Sequence, residues 1–167
     1  MSGEFTLAIG QFIKTCDMKA ASVIQGVVQT LGQDAVMATP RETGLLRGAW
    51  QIGINQIPTA SPMRIDPGGL STLQSINSDS LAIKAGDIVY VVNNTVYANM
   101  VEFGGWRPPA FTPGVAHSYK KGDPPRVRTT GEGFSLQAPA GMARIAVSRL
   151  QAEFDSRVAV WTAKGGA

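Results

Sequence analysis

Phe5, Ile9, Phe12, Ile13, Cys16, Ala20, Val23, Ile24, Val27, Val28, Leu31 and Ala35 recur at helical spacing, while Lys14, Lys19, Gln25, Gln29 and Gln33 take the other side. The pattern is that of one amphipathic helix. Over about residues 5 to 36 it would measure about 45 to 50 Å at 1.5 Å per residue, too long to lie wholly on a domain this small. Gly10, Gly26 and Gly32 are the points at which it could kink or break. If it stays continuous, part of its apolar stripe needs a cover from outside the fold, since burying each Val, Ile or Phe contributes roughly 1.5 to 3 kcal/mol. The alternative is that the helix packs on its own sheet along most of its length. Cys16 falls on the stripe and is expected in the core, where small buried cysteines are common. As the single cysteine of the chain it excludes an intrachain disulfide, which fits a reducing assembly compartment.

Pro40 ends this helix, because the residue before a proline is pushed out of the helical region. After a loop through Thr43 and Gly44, Trp50, Ile52 and Ile54 alternate with Gln51, Gly53 and Asn55, the pattern of a strand with one buried face. Pro58, Pro62 and Pro67-Gly68-Gly69 mark a loop. Leu73, Ile76, Ser80 and Ile83 suggest a helix from about Ser71 to Ser80, although Asn77-Ser78-Asp79-Ser80 makes a poor helix interior. Every position from Ile88 to Val92 is apolar, so a second strand covered on both faces is expected there. Asn93-Asn94 then turns the chain, either side chain being tolerant of turn or left-handed backbone. Val96, Tyr97, Met100, Val101 and Phe103 follow a helical period that Gly104-Gly105 terminates. From Trp106 to Leu136 the chain is rich in Pro and Gly without periodicity, which reads as a long loop or arm. Met142, Ile145, Val147, Leu150, Phe154, Val158 and Trp161 form a final helix to about Ala163, whose stripe should complete the core. The resulting class is α+β: a long N-terminal helix, a small, mostly antiparallel sheet, a C-terminal helix and a long Pro/Gly-rich arm.

A chain of 167 residues suits a single domain, 1–167, with the arm inserted at about 106–136. Charged residues are only 16% of it, well below the usual quarter, so part of the surface is expected to be covered by other subunits. The net charge of +3 is too small to argue for nucleic acid. The opening residues lack a basic n-region and no apolar run approaches the length of a membrane span, so neither a signal peptide nor a span is expected.

Three passages carry a resemblance. They are Thr39-Pro-Arg-Glu-Thr-Gly-Leu-Leu-Arg-Gly-Ala-Trp50, Val92-Asn-Asn-Thr-Val-Tyr-Ala98 with Glu102-Phe-Gly-Gly105, and Gln137-Ala-Pro-Ala-Gly-Met142 entering the last helix. In this order the chain resembles the phage neck and tail-completion family, small virion proteins that join head to tail and include the lambda-type minor tail protein Z group. It departs from that pattern in Trp106 to Leu136, which is longer and richer in Pro and basic residues than the family's link. The resemblance implies a structural protein of the virion neck, assembled in the host cytoplasm, with no enzymatic activity and no cofactor. Its partners would be further copies in a cyclic hexamer or dodecamer, the head-closure or connector protein, and the tail-terminator protein. A tail-terminator ring is the nearest alternative, and a DNA-binding accessory protein is one from a different class. Arg47, Trp50, Tyr97, Glu102, Phe103, Trp106 and Phe111 are the candidates for subunit contacts, with the arm from Arg107 to Phe134 contributing. Arg47 is read as a salt-bridge or interface residue, and Glu102 as a cap or local partner, paired with an Arg across a subunit boundary.

Catalytic patterns are missing from the sequence. His117 has only Asp123 as a nearby oxygen ligand, which is too little for a metal site. A Cys16-His117 nucleophile would need Cys16 to leave its helix face. Nothing in the spacing joins Glu102 to Glu153, and Gly131-Glu-Gly133 is a turn without a phosphate loop around it. Lys120, Lys121, Arg126 and Arg128 could face DNA in a ring lumen, where each neutralised phosphate steepens the salt dependence of binding, or could simply solubilise a loop. Trp106, Phe111 and Tyr119 could anchor the arm on a neighbour.

Overall fold

A computed structural model of the chain describes residues 2–104, 134–136 and 138–164, and for residues 2–5 the backbone alone. The architecture is α+β. Helix α1 runs from Ser2 to Ala38 without interruption, 37 residues or about 55 Å. After it come α2 (Leu45–Gly48), β1 (Trp50–Ile54), α3 (Leu70–Ser80), β2 (Val89–Asn93), α4 (Ala98–Phe103) and α5 (Ala143–Lys164).

The two strands pair antiparallel, with Trp50 opposite Asn93, Ile52 opposite Val91 and Ile54 opposite Val89. All five residues of β2 are half-buried, and Ile88 just before it is 60% exposed. The expectation of a strand covered on both faces is therefore corrected: the sheet has two strands among the described residues, and neither face of β2 is sealed. The turn after β2 is made without left-handed asparagine; Asn93 and Asn94 act through their side chains, and Asn55 is the positive-φ residue other than glycine among the described residues. Asn55 closes the other end of the ribbon, donating to Asp87 Oδ1 at 2.8 Å and accepting from the Ile88 N–H at 2.9 Å.

One core gathers a residue from nearly every element: Ala35, Val36, Leu46, Trp50, Ile76, Ala98, Ala138, Met142 and Ala146. Helix α5 runs back along α1, Ala146 sharing the core with Ala35 and Val36 while Trp161 lies against Gly26. None of the three helix glycines is a break, and two of them, Gly26 and Gly32, are contact points. A Cβ on Gly26 would stand 2.3 Å from the Trp161 ring, and one on Gly32 would stand 2.9 Å from Ile76. Across this seam Gln25 donates to the Ile83 carbonyl at 3.0 Å and Gln29 to the Ser80 hydroxyl at 2.7 Å. The polar side assigned to these glutamines is thus a second packing face, turned toward α3.

The apolar stripe is covered only in part. Residues 6 to 20 of α1 are exposed throughout, Leu7 and Phe12 each at 69%, and Cys16 is exposed with them, which corrects its expected place in the core. The final helix likewise buries only Ala146, Leu150 and Trp161, and leaves Val147, Phe154 and Val160 partly in solvent. In α4 the buried positions are Ala98 and Glu102, whereas Met100 and Phe103, and Val96 in the turn before the helix, are exposed. Among the described residues, no helix is long and apolar enough to cross a membrane.

Candidate functional site

The passage from Thr39 to Trp50 folds into a buried knot at the C-terminal end of α1. Helix ends leave their last carbonyls without intrahelical partners. Arg47 supplies them: its Nε and Nη2 donate to the Thr39 carbonyl at 3.1 and 2.5 Å, Nη2 to Met37 O at 3.3 Å, and Nη1 to Pro67 O at 2.9 Å. The planar fork suits this convergence in a way that a lysine ammonium could not. Thr39 passes the link on, its hydroxyl donating to Ala35 O at 2.7 Å and accepting from the Trp50 indole N–H at 2.7 Å. Burial and the nearby Arg41 lower the Arg47 pKa while Asp66 opposes them, and the guanidinium remains a cation. An open depression of about 540 Å3, lined by residues 37–42 and Arg47, lies above this knot.

Asp66 is the anionic counterpart, and the sequence reading missed it. Its Oδ1 accepts from the Gly69 N–H, and its Oδ2 from the Thr72 N–H, the Thr72 hydroxyl and the Ser71 hydroxyl, all at 2.8 Å. The carboxylate thereby caps the first turn of α3. Burial pushes its pKa up, but these hydrogen bonds outweigh it and hold the carboxyl at about 2. An Asp followed by Pro-Gly-Gly and then Ser-Thr was the available signal.

The second and third passages meet at the start of α5. The Glu102 carboxylate accepts backbone N–H groups from Met142 at 2.6 Å, Ala143 at 2.8 Å and Arg144 at 2.9 Å, which are orphan donors of that helix. The Arg144 side chain adds an ion pair to Oε1 at 3.2 Å and a hydrogen bond to the Glu102 carbonyl. Burial raises the Glu102 pKa, and the hydrogen bonds from these backbone N–H groups and from the Arg144 side chain more than reverse it, so it lies below the ordinary value. Gly141 makes the approach feasible: its φ is +82°, and a Cβ there would fall 2.6 Å from Glu102 Oε1. The guanidinium of Arg144 also lies 5.3 Å from the Phe103 ring centre and 5.5 Å from that of Phe134.

The candidate contact residues therefore divide. Arg47, Trp50 and Glu102 are buried at 5, 4 and 7% exposure and spend their polar atoms inside the chain, so they are corrected from surface contacts to internal braces. The arginine that pairs with Glu102 belongs to the same chain, not to a neighbour, and Arg47 joins carbonyls instead of forming a salt bridge. Tyr97 is half-buried against the core, its hydroxyl pKa raised by burial and by Glu42. Phe103 keeps an open face. Trp106, Phe111, Lys120, Lys121, Arg126 and Arg128 lie outside the described residues, as do His117, Tyr119 and Asp123.

No family model, curated protein or solved structure matches this chain. Its function is thus argued from its own residues. They comprise a base locked by three carboxylate or guanidinium hubs, and one helix half that the described chain leaves bare. Among the described residues no group of three His, Cys, Asp or Glu converges as a metal site would require.

Proposed function

We propose that the chain is a structural virion protein of a tailed phage, joining the head connector to the tail as a cyclic oligomer around the DNA channel at the neck. The observation that carries this reading is the bare half of α1: four large apolar residues, Leu7, Phe12, Ile13 and Met18, each more than half exposed on an uninterrupted helix. A surface of that kind on a soluble chain is an interaction surface. Further support comes from the three passages of the resemblance, which are sequentially distant and physically joined. Asn93 donates to the Leu46 carbonyl at 2.7 Å, tying the second passage to the first, and Glu102 ties it to the third. Residues used in this way make a stiff frame. They carry load and conduct no chemistry.

Ring closure repeats one modest contact, and repetition makes interfaces of about 800 Å2 per partner stable. The basic residues Lys120, Lys121, Arg126 and Arg128 are the candidates for a weak and salt-sensitive contact with the DNA passing through. Locating the chain in intact particles tests the proposal. An epitope tag seen at the portal vertex, between connector and tail, is the expected result. A tag on the capsid shell, on fibres, or lost from finished particles would overturn it, and a tag at the tail-tube end would favour the terminator reading.

A further inference from the structure

The chain departs for residues 105–133 from the end of α4 and is described again from Phe134. Both roots are fixed by their backbone. Gly104 leaves α4 with φ +74° and ψ −154°, a combination essentially confined to glycine, and its N–H still donates to the Met100 carbonyl at 2.9 Å. On the return, Ser135 is buried and Ala138 belongs to the core, the Ala138 N–H donating to the Ser135 carbonyl at 3.0 Å. Between the two roots stands Arg144. Its guanidinium lies 5.3 Å from the Phe103 ring centre and 5.5 Å from that of Phe134, within the range at which a ring face attracts a cation. Phe103 directly precedes Gly104 and Phe134 directly precedes Ser135, so one side chain meets both the last described ring before residues 105–133 and the first one after them.

We propose that Arg144 is a clasp that holds these two roots together against the start of α5. The Glu102 carboxylate does not need a guanidinium to cap that helix, since three backbone N–H groups already reach it. The Arg144 side chain does something else. Its Nε pairs with Glu102 Oε1 at 3.2 Å and its Nη2 donates to the Glu102 carbonyl, which fixes the guanidinium plane on the last turn of α4. A planar cation held at two of its nitrogens keeps its faces available to aromatic rings, which a lysine ammonium, a point charge on a flexible stem, would not match. About half of the side chain is exposed, so each ring contact is modest. What matters is that the two rings are far apart in sequence and share one cation. The chain thus leaves for residues 105–133 and returns from them beside a single side chain, at the same place on every copy. The clasp belongs to the single chain and stands whether or not that chain joins a neck.

Amide exchange followed by NMR in the full chain tests the clasp, with the hydrogen-bonded N–H groups of Gly104 and Ala138 reporting on the two roots. Phe103→Leu and Phe134→Leu each remove one ring, keep an apolar side chain of similar reach, and leave the pair between Arg144 and Glu102 in place. If the guanidinium couples the roots, Phe134→Leu speeds exchange at Gly104 and Phe103→Leu speeds it at Ala138, each by about two- to fivefold, the factor set by one exposed cation–π contact. Arg144→Gln, which loses both contacts and keeps the backbone donors to Glu102, should speed both reporters by about tenfold. In that background the leucine substitutions should no longer act across. The response must run in both directions: a root that answers only to its own ring overturns the proposal. So does an Arg144→Gln chain in which neither reporter moves, and so does a cross-response that persists without the guanidinium, which would assign the coupling to packing. Should Arg144→Gln loosen α5 as a whole, the two leucine variants decide alone. Finding the chain away from the portal vertex would defeat the neck reading and leave this result untouched.

Discussion

The two halves of α1 share one sequence pattern and have opposite fates. From Gly26 to Ala38 the helix is gripped on two sides, by Trp161 of α5 and by Ile76 of α3, and its end is tied off by Arg47. From residue 6 to residue 20 the same periodicity faces solvent. Amphipathicity thus reports that a face needs cover without reporting whose cover it is. The braced half sets a rigid base; the bare half is what that base presents.

The sharpest way to break this contrast is to attack the braces. Arg47→Ala should lower unfolding free energy by about 3 kcal/mol or more, since it empties a buried site and strands several carbonyls. Urea denaturation measures it, and Arg47→Lys should recover little because one ammonium cannot reach all three carbonyl groups. Glu102→Ala comes next, at about 2 to 3 kcal/mol, because it unpairs three N–H groups at the start of α5. It should also raise amide exchange in the first turn of that helix.

Acid should loosen the same base. Asp66 at about 2 and Glu102, also lowered, hold their protons less tightly folded than unfolded. Their contribution is present above the unfolded carboxylate range near pH 4 and is lost as pH falls toward the folded values. Melting temperature should therefore drop between about pH 4 and pH 2, and Asp66→Asn should lower the melting temperature at neutral pH and flatten that slope.

A single substitution made at two sites separates the halves directly. Gly26→Ala pushes a methyl group into the Trp161 ring and should cost about 1 to 2 kcal/mol net, overpacking exceeding the gain in helix propensity. Gly10→Ala meets nothing within 4 Å and should stabilise by up to about 1 kcal/mol. Equal signs at both sites would mean that the halves do not differ in packing.

The α+β plan was legible because periodicity, Pro40 and the glycines after α4 all act locally. The span of α1 was legible too; whether it ran unbroken was not, since a glycine that breaks a helix and one that admits an indole look alike in sequence. The short α2 and the capping role of Asp66 were hidden by Pro and Gly that read as loop. Glu102 was recognised as a capping or pairing residue, but its partners lie 40 to 42 residues onward, a distance over which spacing carries no information. Gln25 and Gln29 were placed on the polar side because amides that hydrogen-bond across a helix seam are indistinguishable from solvated ones until the seam is seen.

Amide hydrogen exchange on the dilute chain and on the assembled particle addresses the contrast most directly. In the dilute chain, residues 26–38 should be protected and residues 6–20 should exchange rapidly; on assembly, protection should spread into 6–20 while the base stays unchanged. Strong protection of 6–20 in the dilute monomer, or none gained in the particle, would contradict a braced base that offers its bare helix to its neighbours.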